Sequence, residues 1–140
     1  MTSPLSLRFD RALLERLRRR AAAQDSTPSG LAQRLVDEGL RQQEHPGIVF
    51  KDGPSGRRAA LVAGPDVWEV VAAVRASGAK DEKRASKVAA EQLALSPPQV
   101  RLALDYYGSY PVEIDAQITE NDVAAAEALA AWQARQRLLA

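Results

Sequence analysis

The sequence contains no cysteine and only one histidine among its 140 residues. The absence of cysteine excludes disulfide scaffolds and thiol chemistry, and a single histidine excludes the common zinc sites. No apolar run approaches the roughly 18 residues of a membrane span, and residues 1–4 are not a basic segment leading into an apolar stretch. We therefore expect a cytoplasmic protein that does not engage a membrane.

Large apolar side chains are also scarce. Hydrophobic residues make up 46% of the chain, but 26 residues are alanine. This composition suffices for one modest core, or for two small ones that need a partner. Residues 1–43 carry a net charge of +3 and residues 111–140 a net charge of −3. The asymmetry indicates an anionic partner for one end and a different partner for the other, although ordinary scatter of surface charge is the simpler alternative.

Residues 4–10 predict a short strand with one apolar face. Apolar and outward positions alternate, with Leu5, Leu7 and Phe9 inward and Pro4, Ser6 and Arg8 outward. A lone strand of this length is not stable. Because the next forty or so residues predict no second strand, its mate is expected to come from another copy of the chain.

Two helices are predicted to follow this strand. The first covers residues 11–23 and is capped by Asp10, and the second covers residues 28 to about 43 and is capped by Thr27. The run Arg18-Arg19-Arg20 is expected to be a solvated face. The predicted buried faces consist of Leu13, Leu14, Leu17 and Ala21 in the first helix and Leu31, Leu35, Val36, Gly39 and Leu40 in the second.

An unpaired strand followed by two helices resembles the ribbon-helix-helix family of dimeric DNA-binding domains. The resemblance implies that two strands pair antiparallel across the dimer and enter the major groove. It assigns base contacts to Ser6 and Arg8, with Arg8 suited to guanine. It assigns phosphate contacts to backbone N–H groups at the start of the second helix, near Thr27, Ser29 and Gly30. Pro4 departs from the family's polar first outward position, and a ribbon that only dimerises the chain is the alternative.

A second domain is predicted to begin after the linker at residues 44–47, where Pro46 and Gly47 follow His45, a turn residue in this interpretation. Two short strands are expected around a loop at residues 52–56. Helices are then expected at about residues 67–77, 85–93 and from 97 onward, the last capped by Ser96. On this last helix we expect Val100, Ala103, Leu104 and Tyr107 to be buried and Gln99, Arg101, Leu102, Asp105 and Tyr106 to face outward.

This second region resembles a family of small winged-helix domains, numbered four hundred and thirty-three among the domains of unknown function. The resemblance implies a winged-helix domain over residues 47–118. Members are mostly antitoxins of VapB type that are paired with PIN-like toxin ribonucleases, so it also implies a repressor that neutralises a toxin. The segments that carry it are His45-Pro46-Gly47-Ile48, the Gly53-Pro54 loop, Gly64-Pro65-Asp66-Val67-Trp68, Leu95-Ser96-Pro97-Pro98-Gln99-Val100, Ala103-Leu104-Asp105-Tyr106-Tyr107 and Glu113-Ile114-Asp115.

The role of the predicted winged domain stays open between DNA and protein contact. Arg57 and Arg58 on the hairpin and Arg101 on the last helix form a candidate second DNA surface. The outward face of that helix pairs one cation with the acidic Asp105, which suits phosphate poorly. Protein contact is the interpretation that this mixed charge favours.

Residues 119–140 predict an acidic amphipathic helix whose stripe contains Leu129, Trp132 and Leu139 below Val123 and Ala126. A stripe this sparse is stable mainly when docked. One interpretation is a toxin-binding helix anchored by Leu129 and Trp132, with Arg135 or Arg137 masking the toxin's acidic, metal-binding cleft. The other is packing on its own domain or on a dimer mate.

No catalytic residue, metal or cofactor is predicted. The sequence offers no nucleophile–base pair or phosphate loop, and the carboxylates of Glu113, Asp115, Glu120 and Asp122 lack the spacing of a calcium loop and are expected to be solvated. The predicted fold is mainly α, with a ribbon-helix-helix segment at residues 1–43, the winged helix-turn-helix domain and a C-terminal helix at residues 119–140. The predicted function is a non-enzymatic antitoxin that represses its own operon as a homodimer or higher oligomer. A stand-alone regulator is the alternative, and a neighbouring toxin gene would distinguish them.

Overall fold

A computed structural model describes residues 3–54 and 56–140, so Ser55 of the predicted loop and the first two residues lie outside it. The described residues form six α-helices and one two-stranded antiparallel sheet. The chain divides into two compact units, Met1–Glu44 and His45–Ala140. The fold is therefore mainly helical, as the sequence predicts, and none of the described helices is both long and apolar enough to cross a bilayer.

The N-terminal unit contains helices α1 (Arg11–Ala23) and α2 (Pro28–Glu44). Asp10 caps α1 by accepting a hydrogen bond from the Leu13 N–H at 3.1 Å. Thr27 precedes α2, and its Oγ1 accepts from the Gly30 N–H at 3.0 Å. Both caps were predicted because Asp and Thr side chains satisfy donors that a first helical turn leaves unpaired. No strand forms at residues 3–10 within the described part of this single chain.

Burial in the N-terminal unit is much smaller than the sequence predicts. Ala21 and Leu31 are buried, but Leu13 on α1 is exposed. Three of the five positions predicted to be buried on α2 are also exposed, namely Leu35, Val36 and Leu40. The predicted apolar faces assume a packed domain. Two helices that pack only against each other leave much of their apolar surface in contact with solvent.

The second unit begins with a hairpin of β1 (Ile48–Gly53) and β2 (Gly56–Leu61), paired from Ile48 opposite Leu61 to Gly53 opposite Gly56. Helix α3 (Val67–Ser77) follows and ends at Gly78, whose φ of 72° is left-handed. Its N-terminus has a capping box between Asp66 and Glu69.

Helices α4 (Glu82–Leu93) and α5 (Pro97–Ser109) are joined by a short turn. Helix α4 begins three residues before the predicted start because Asp81 caps it, accepting from the Arg84 N–H at 2.8 Å. Helix α5 begins as predicted, with a capping box between Ser96 and Gln99. The turn contains Ala94 in the left-handed region, with φ of 57°, where glycine is preferred.

Replacing Ala94 by glycine is expected to raise the free energy of unfolding by about 0.5–1 kcal/mol. A left-handed alanine costs about 1–2 kcal/mol, and the extra entropy of an unfolded glycine offsets part of the gain. Urea unfolding measures the change. The matched control is Ala90→Gly at an exposed position inside α4, which should lose about 1 kcal/mol. Equal losses from both glycines would contradict the prediction.

The core of the second unit lies between the hairpin and helices α3, α4 and α5, with the start of the last helix packed against them. Tyr106 is fully buried in it, so the prediction that this residue faces outward is wrong. Its hydroxyl donates to Glu113 Oε2 at 2.8 Å, which satisfies the buried polar group. Leu102, also predicted outward, is half-buried and packs beneath Gly47, where a Cβ would lie 2.6 Å from Leu102 Cδ2.

Helix α6 (Pro111–Leu139) is longer than the predicted tail and begins eight residues earlier than Thr119. Pro111 occupies its first turn, where a missing N–H costs nothing. Ile114 and Ile118 are buried in the core of the second unit. Every residue from Thr119 onward is exposed, so the first turns of α6 anchor a helix whose remainder leaves the core.

Candidate functional site

The segment before α1 exposes its apolar side chains. Leu5, Leu7 and Phe9 are 80%, 61% and 39% exposed. A single exposed apolar side chain is ordinary. Three in one short segment, in a unit where α1 and α2 also expose apolar residues, indicate a surface that is covered by a partner. Ser6 and Arg8, the predicted base-contacting residues, are exposed as well.

A positive surface accompanies this segment. Arg8 and all five arginines of α1 are exposed, and none of the six forms an ion pair within the described residues. Because no carboxylate of the described chain neutralises them, their charge is available to an anionic partner. These residues are Arg8, Arg11, Arg16, Arg18, Arg19 and Arg20. They lie on more than one side of α1, and we call them together the N-terminal basic surface.

The start of α2 carries the predicted phosphate contacts. The Gly30 N–H already donates to Thr27 Oγ1 in the helix cap, so a phosphate would have to share this donor with the cap. Pro28 has no N–H, and the first backbone donor of the helix belongs to Ser29, which is exposed. A phosphate here would therefore meet the Ser29 N–H first, together with the Thr27 and Ser29 hydroxyls.

Each arginine of the candidate second DNA surface forms an ion pair with a carboxylate of the second unit. Arg57 lies 3.2 Å from Asp52 across the hairpin, and Arg101 Nε lies 2.7 Å from Glu82 Oε1. Arg58 lies 3.7 Å from Asp66 and 5.8 Å from the centre of the Trp68 ring. The hydrogen bond to Glu82 raises the pKa of Arg101 above its ordinary value. These pairs reduce the positive field that the three arginines present.

The exposed part of α6 continues an apolar stripe that starts in the core. Ala125, Leu129 and Trp132 follow Ile114 and Ile118 at helical spacings and so share their face. Leu129 is 55% exposed and Trp132 58% exposed. The predicted toxin-binding residues Leu129, Trp132 and Arg135 thus stand on one solvated helix, and packing of this stripe on its own unit is excluded. We call Ala125, Leu129 and Trp132 the C-terminal stripe.

Two of the carboxylates predicted to be solvated have specific partners. Glu113 accepts from the buried Tyr106 hydroxyl. Asp115 Oδ1 accepts from Arg75 Nη2 at 2.8 Å and from Tyr107 Oη at 3.0 Å. The Arg75 hydrogen bond lowers the pKa of Asp115, with Tyr107 acting in the same direction, and Asp115 in turn raises the pKa of Arg75.

The pair of Arg75 and Asp115 joins α3 to α6 across 40 positions of sequence. No local spacing could have predicted a contact between residues so far apart. The pair is half exposed, so its contribution to stability is small. Its geometric effect is to fix the direction in which α6 leaves the core.

Within the described residues, no group of histidine and carboxylate side chains could hold a metal ion. His45, predicted as a turn residue, contacts Tyr106 and Tyr110 edge-on, with ring centres 5.3 and 6.0 Å away. The described residues thus present two kinds of candidate binding surface, one basic and one apolar.

No family model, curated protein or solved structure matches the chain.

Proposed function

We propose that the chain is a homodimeric DNA-binding repressor and the antitoxin of a type II toxin-antitoxin system. The observation that carries the proposal is the exposed apolar segment of Leu5, Leu7 and Phe9 beside the N-terminal basic surface. An apolar segment that needs a partner and a cationic surface that needs an anion are the two requirements of a dimeric DNA-binding domain. Such a repressor acts in the cytoplasm, where its operator is.

A second copy of the chain is the occupant that best fits the apolar segment. The N-terminal unit has 44 residues and few buried side chains, which is close to the size of about 40 residues below which a domain usually needs oligomerisation to be stable. Pairing residues 4–10 antiparallel with their own copies creates a two-stranded sheet and satisfies its backbone groups. It also lets Leu5, Leu7 and Phe9 cover the exposed leucines of α1 and α2, which is the ribbon-helix-helix arrangement.

The outer face of this ribbon would read the operator. In the paired ribbon Ser6 and Arg8 point away from the apolar core, and Arg8 can donate two hydrogen bonds to guanine O6 and N7. Thr27, Ser29 and Gly30 at the start of α2 would hold a phosphate. The arginines of α1 add affinity that does not depend on sequence.

The toxin-binding role belongs to the exposed part of α6 in this proposal. Residues 119–139 extend about 30 Å as a helix and carry the C-terminal stripe with no cover from their own unit. An amphipathic helix that docks in a groove is a common mode of recognition. Leu129 and Trp132 would anchor it on a PIN-like ribonuclease, while Arg135 would meet the acidic metal-binding cleft of that enzyme.

Binding to the DNA upstream of the chain's own gene tests the repressor. We expect Arg8→Ala to weaken operator binding by at least about 30-fold, because the dimer loses two bidentate base contacts worth about 1–3 kcal/mol each, while affinity for a random duplex changes little. Fluorescence anisotropy at two salt concentrations measures both affinities. The matched control, Arg137→Ala, removes an exposed arginine at the end of α6 and should leave the preference for operator intact.

Equal affinity of the unaltered chain for operator and random duplex would contradict the proposal. So would an Arg8→Ala variant that retains the full preference for operator. In either case the ribbon would serve only to dimerise the chain.

A further inference from the structure

An open groove runs between α4 and α5 in the second unit. It is lined on the α4 side by Lys83, Ser86, Lys87 and Ala90, and on the α5 side by Pro97 and Arg101, with Glu82 beside them. None of the α4 residues that line it belongs to a site predicted from the sequence.

The local sequence fixes which side of α4 lines the groove. Ala85 and Ala89 are buried in the core, and residues 83, 87 and 90 recur at helical spacing on another face. On α5 the buried Val100 and Ala103 likewise leave Pro97 and Arg101 on the groove side. The lining therefore follows from core packing and does not depend on flexible loops.

The groove is cationic. Three basic side chains line it against one carboxylate, and that carboxylate, Glu82, is already paired with Arg101 at 2.7 Å. Lys83 and Lys87 are exposed and form no ion pair with the part of the chain that the structure describes. The Glu82 bond uses Arg101 Nε–H, and a guanidinium has four further N–H donors.

The groove is poorly suited to reading bases. Pro97 and Pro98 occupy the first turn of α5 and offer neither a side-chain donor nor an N–H. The Ser96 N–H is used within the capping box, where it donates to Gln99 Oε1 at 2.9 Å. Charge on flexible lysines is what remains, and lysine binds phosphate as a point charge without geometric selection.

We infer that the groove between α4 and α5 binds the sugar-phosphate backbone of duplex DNA through Lys83 and Lys87, supported by Arg101. This surface is separate from the proposed ribbon and adds affinity without adding sequence preference. The hairpin arginines Arg57 and Arg58, which pair with Asp52 and Asp66, are not part of this surface.

The test uses the full chain with Lys83→Gln and Lys87→Gln combined. Glutamine has a similar helix propensity to lysine, so α4 should persist, which circular dichroism verifies. Two phosphate contacts per copy contribute about 1.8 to the slope of log affinity against log salt, and the two copies of a dimer contribute about 3.6. The advantage of the unaltered chain over the variant should therefore shrink by about 12-fold per bound copy, or about 150-fold for the dimer, between 50 and 200 mM salt. The loss should be equal on operator and random duplex.

The control is Lys80→Gln combined with Arg137→Gln, which changes the net charge equally at exposed positions outside the groove. It should leave the salt slope unchanged. A double-lysine variant with the slope of the unaltered chain, or a loss confined to operator DNA, would overturn the inference. So would an equal slope change in the control, because net charge alone would then explain it.

The outcomes separate this inference from the proposed function. If Arg8→Ala abolishes operator preference while the lysine variant keeps the full slope, the ribbon reads DNA and the groove does not bind it. If only the lysine variant lowers the slope and no operator preference exists, the groove binds DNA and the proposed repressor fails. A full chain that binds no duplex at 50 mM salt overturns both.

Discussion

A chain carrying Leu7→Asp is expected to sediment as a monomer and to lose operator binding. Leu7 is 61% exposed in the single chain, so the substitution removes little intramolecular packing. In a two-fold ribbon the change occurs in both copies and replaces two buried leucines, worth about 1.5–3 kcal/mol each, by two buried carboxylates. The dimer dissociation constant should rise by at least about 100-fold. Sedimentation equilibrium at micromolar concentration measures it.

The control for this prediction is Leu138→Asp, which makes the same chemical change at a leucine of α6 that is 84% exposed. It should leave the dimer intact. The proposal of a ribbon dimer is contradicted if the unaltered chain is a folded monomer at micromolar concentration, or if Leu7→Asp and the unaltered chain dimerise equally. Anisotropy on the operator would show whether DNA binding is lost together with the dimer.

The helix boundaries that the sequence predicts well are those set by local chemistry. Asp10, Thr27 and Ser96 each satisfy donors within three residues of themselves, so the cap can be identified without knowledge of the fold. The hairpin was predicted for the same reason, since a turn-rich loop separates two apolar runs. Helix α4 began early because Asp81 is also such a cap, but the charged residues after it suggested a turn.

Burial was harder to predict because it depends on distant elements. On α5, Val100 and Ala103 are buried as the stripe predicts, whereas Leu104 and Tyr107 are only half-buried and Tyr106 is fully buried. Helical periodicity does not show which of two successive tyrosines is buried. Tyr106 is buried where its hydroxyl donates to Glu113 on α6 and its ring contacts the ring of Tyr110. Leu102 is covered by Gly47, which directly precedes β1 and lies 55 positions away in the sequence.

The candidate sites also differ in whether local sequence or tertiary packing determines them. Ser6 and Arg8 are predicted as outward positions and are exposed, since polar alternation is a local pattern. For Trp132 the helical stripe left packing and exposure open, and the structure shows it exposed. The pairing of Arg101 with Glu82 and the groove beside Lys83 and Lys87 arise only when α4 and α5 pack together. Local patterns therefore predict which side chains are exposed, whereas the tertiary structure determines which charges remain available to a partner.

Trp132→Ala is expected to raise the dissociation constant for the PIN-like ribonuclease by about 30- to 1000-fold. Trp132 is 58% exposed and contributes to no core, so the variant should unfold at the same denaturant concentration as the unaltered chain. Burial of such an aromatic anchor at the centre of a sparse apolar stripe is worth about 2–4 kcal/mol at an interface. Where a PIN-like ribonuclease is encoded beside the gene, calorimetric titration of that protein measures the affinity, and RNA cleavage should resume when the complex weakens.

Leu138→Ala provides the matched control, because Leu138 lies on the same exposed helix but about 120° around it from Trp132. Its loss should change the affinity by less than about 5-fold, as expected for a residue at the edge of an interface. A Trp132→Ala variant that binds the toxin normally but sediments as a smaller species would place the C-terminal stripe in a contact between copies of the chain. Failure of the unaltered chain to bind any PIN-like partner would leave a stand-alone regulator. Because neither substitution removes core packing, a loss of toxin affinity that is specific to Trp132 and leaves the sedimenting species unchanged places Trp132 in contact with the toxin.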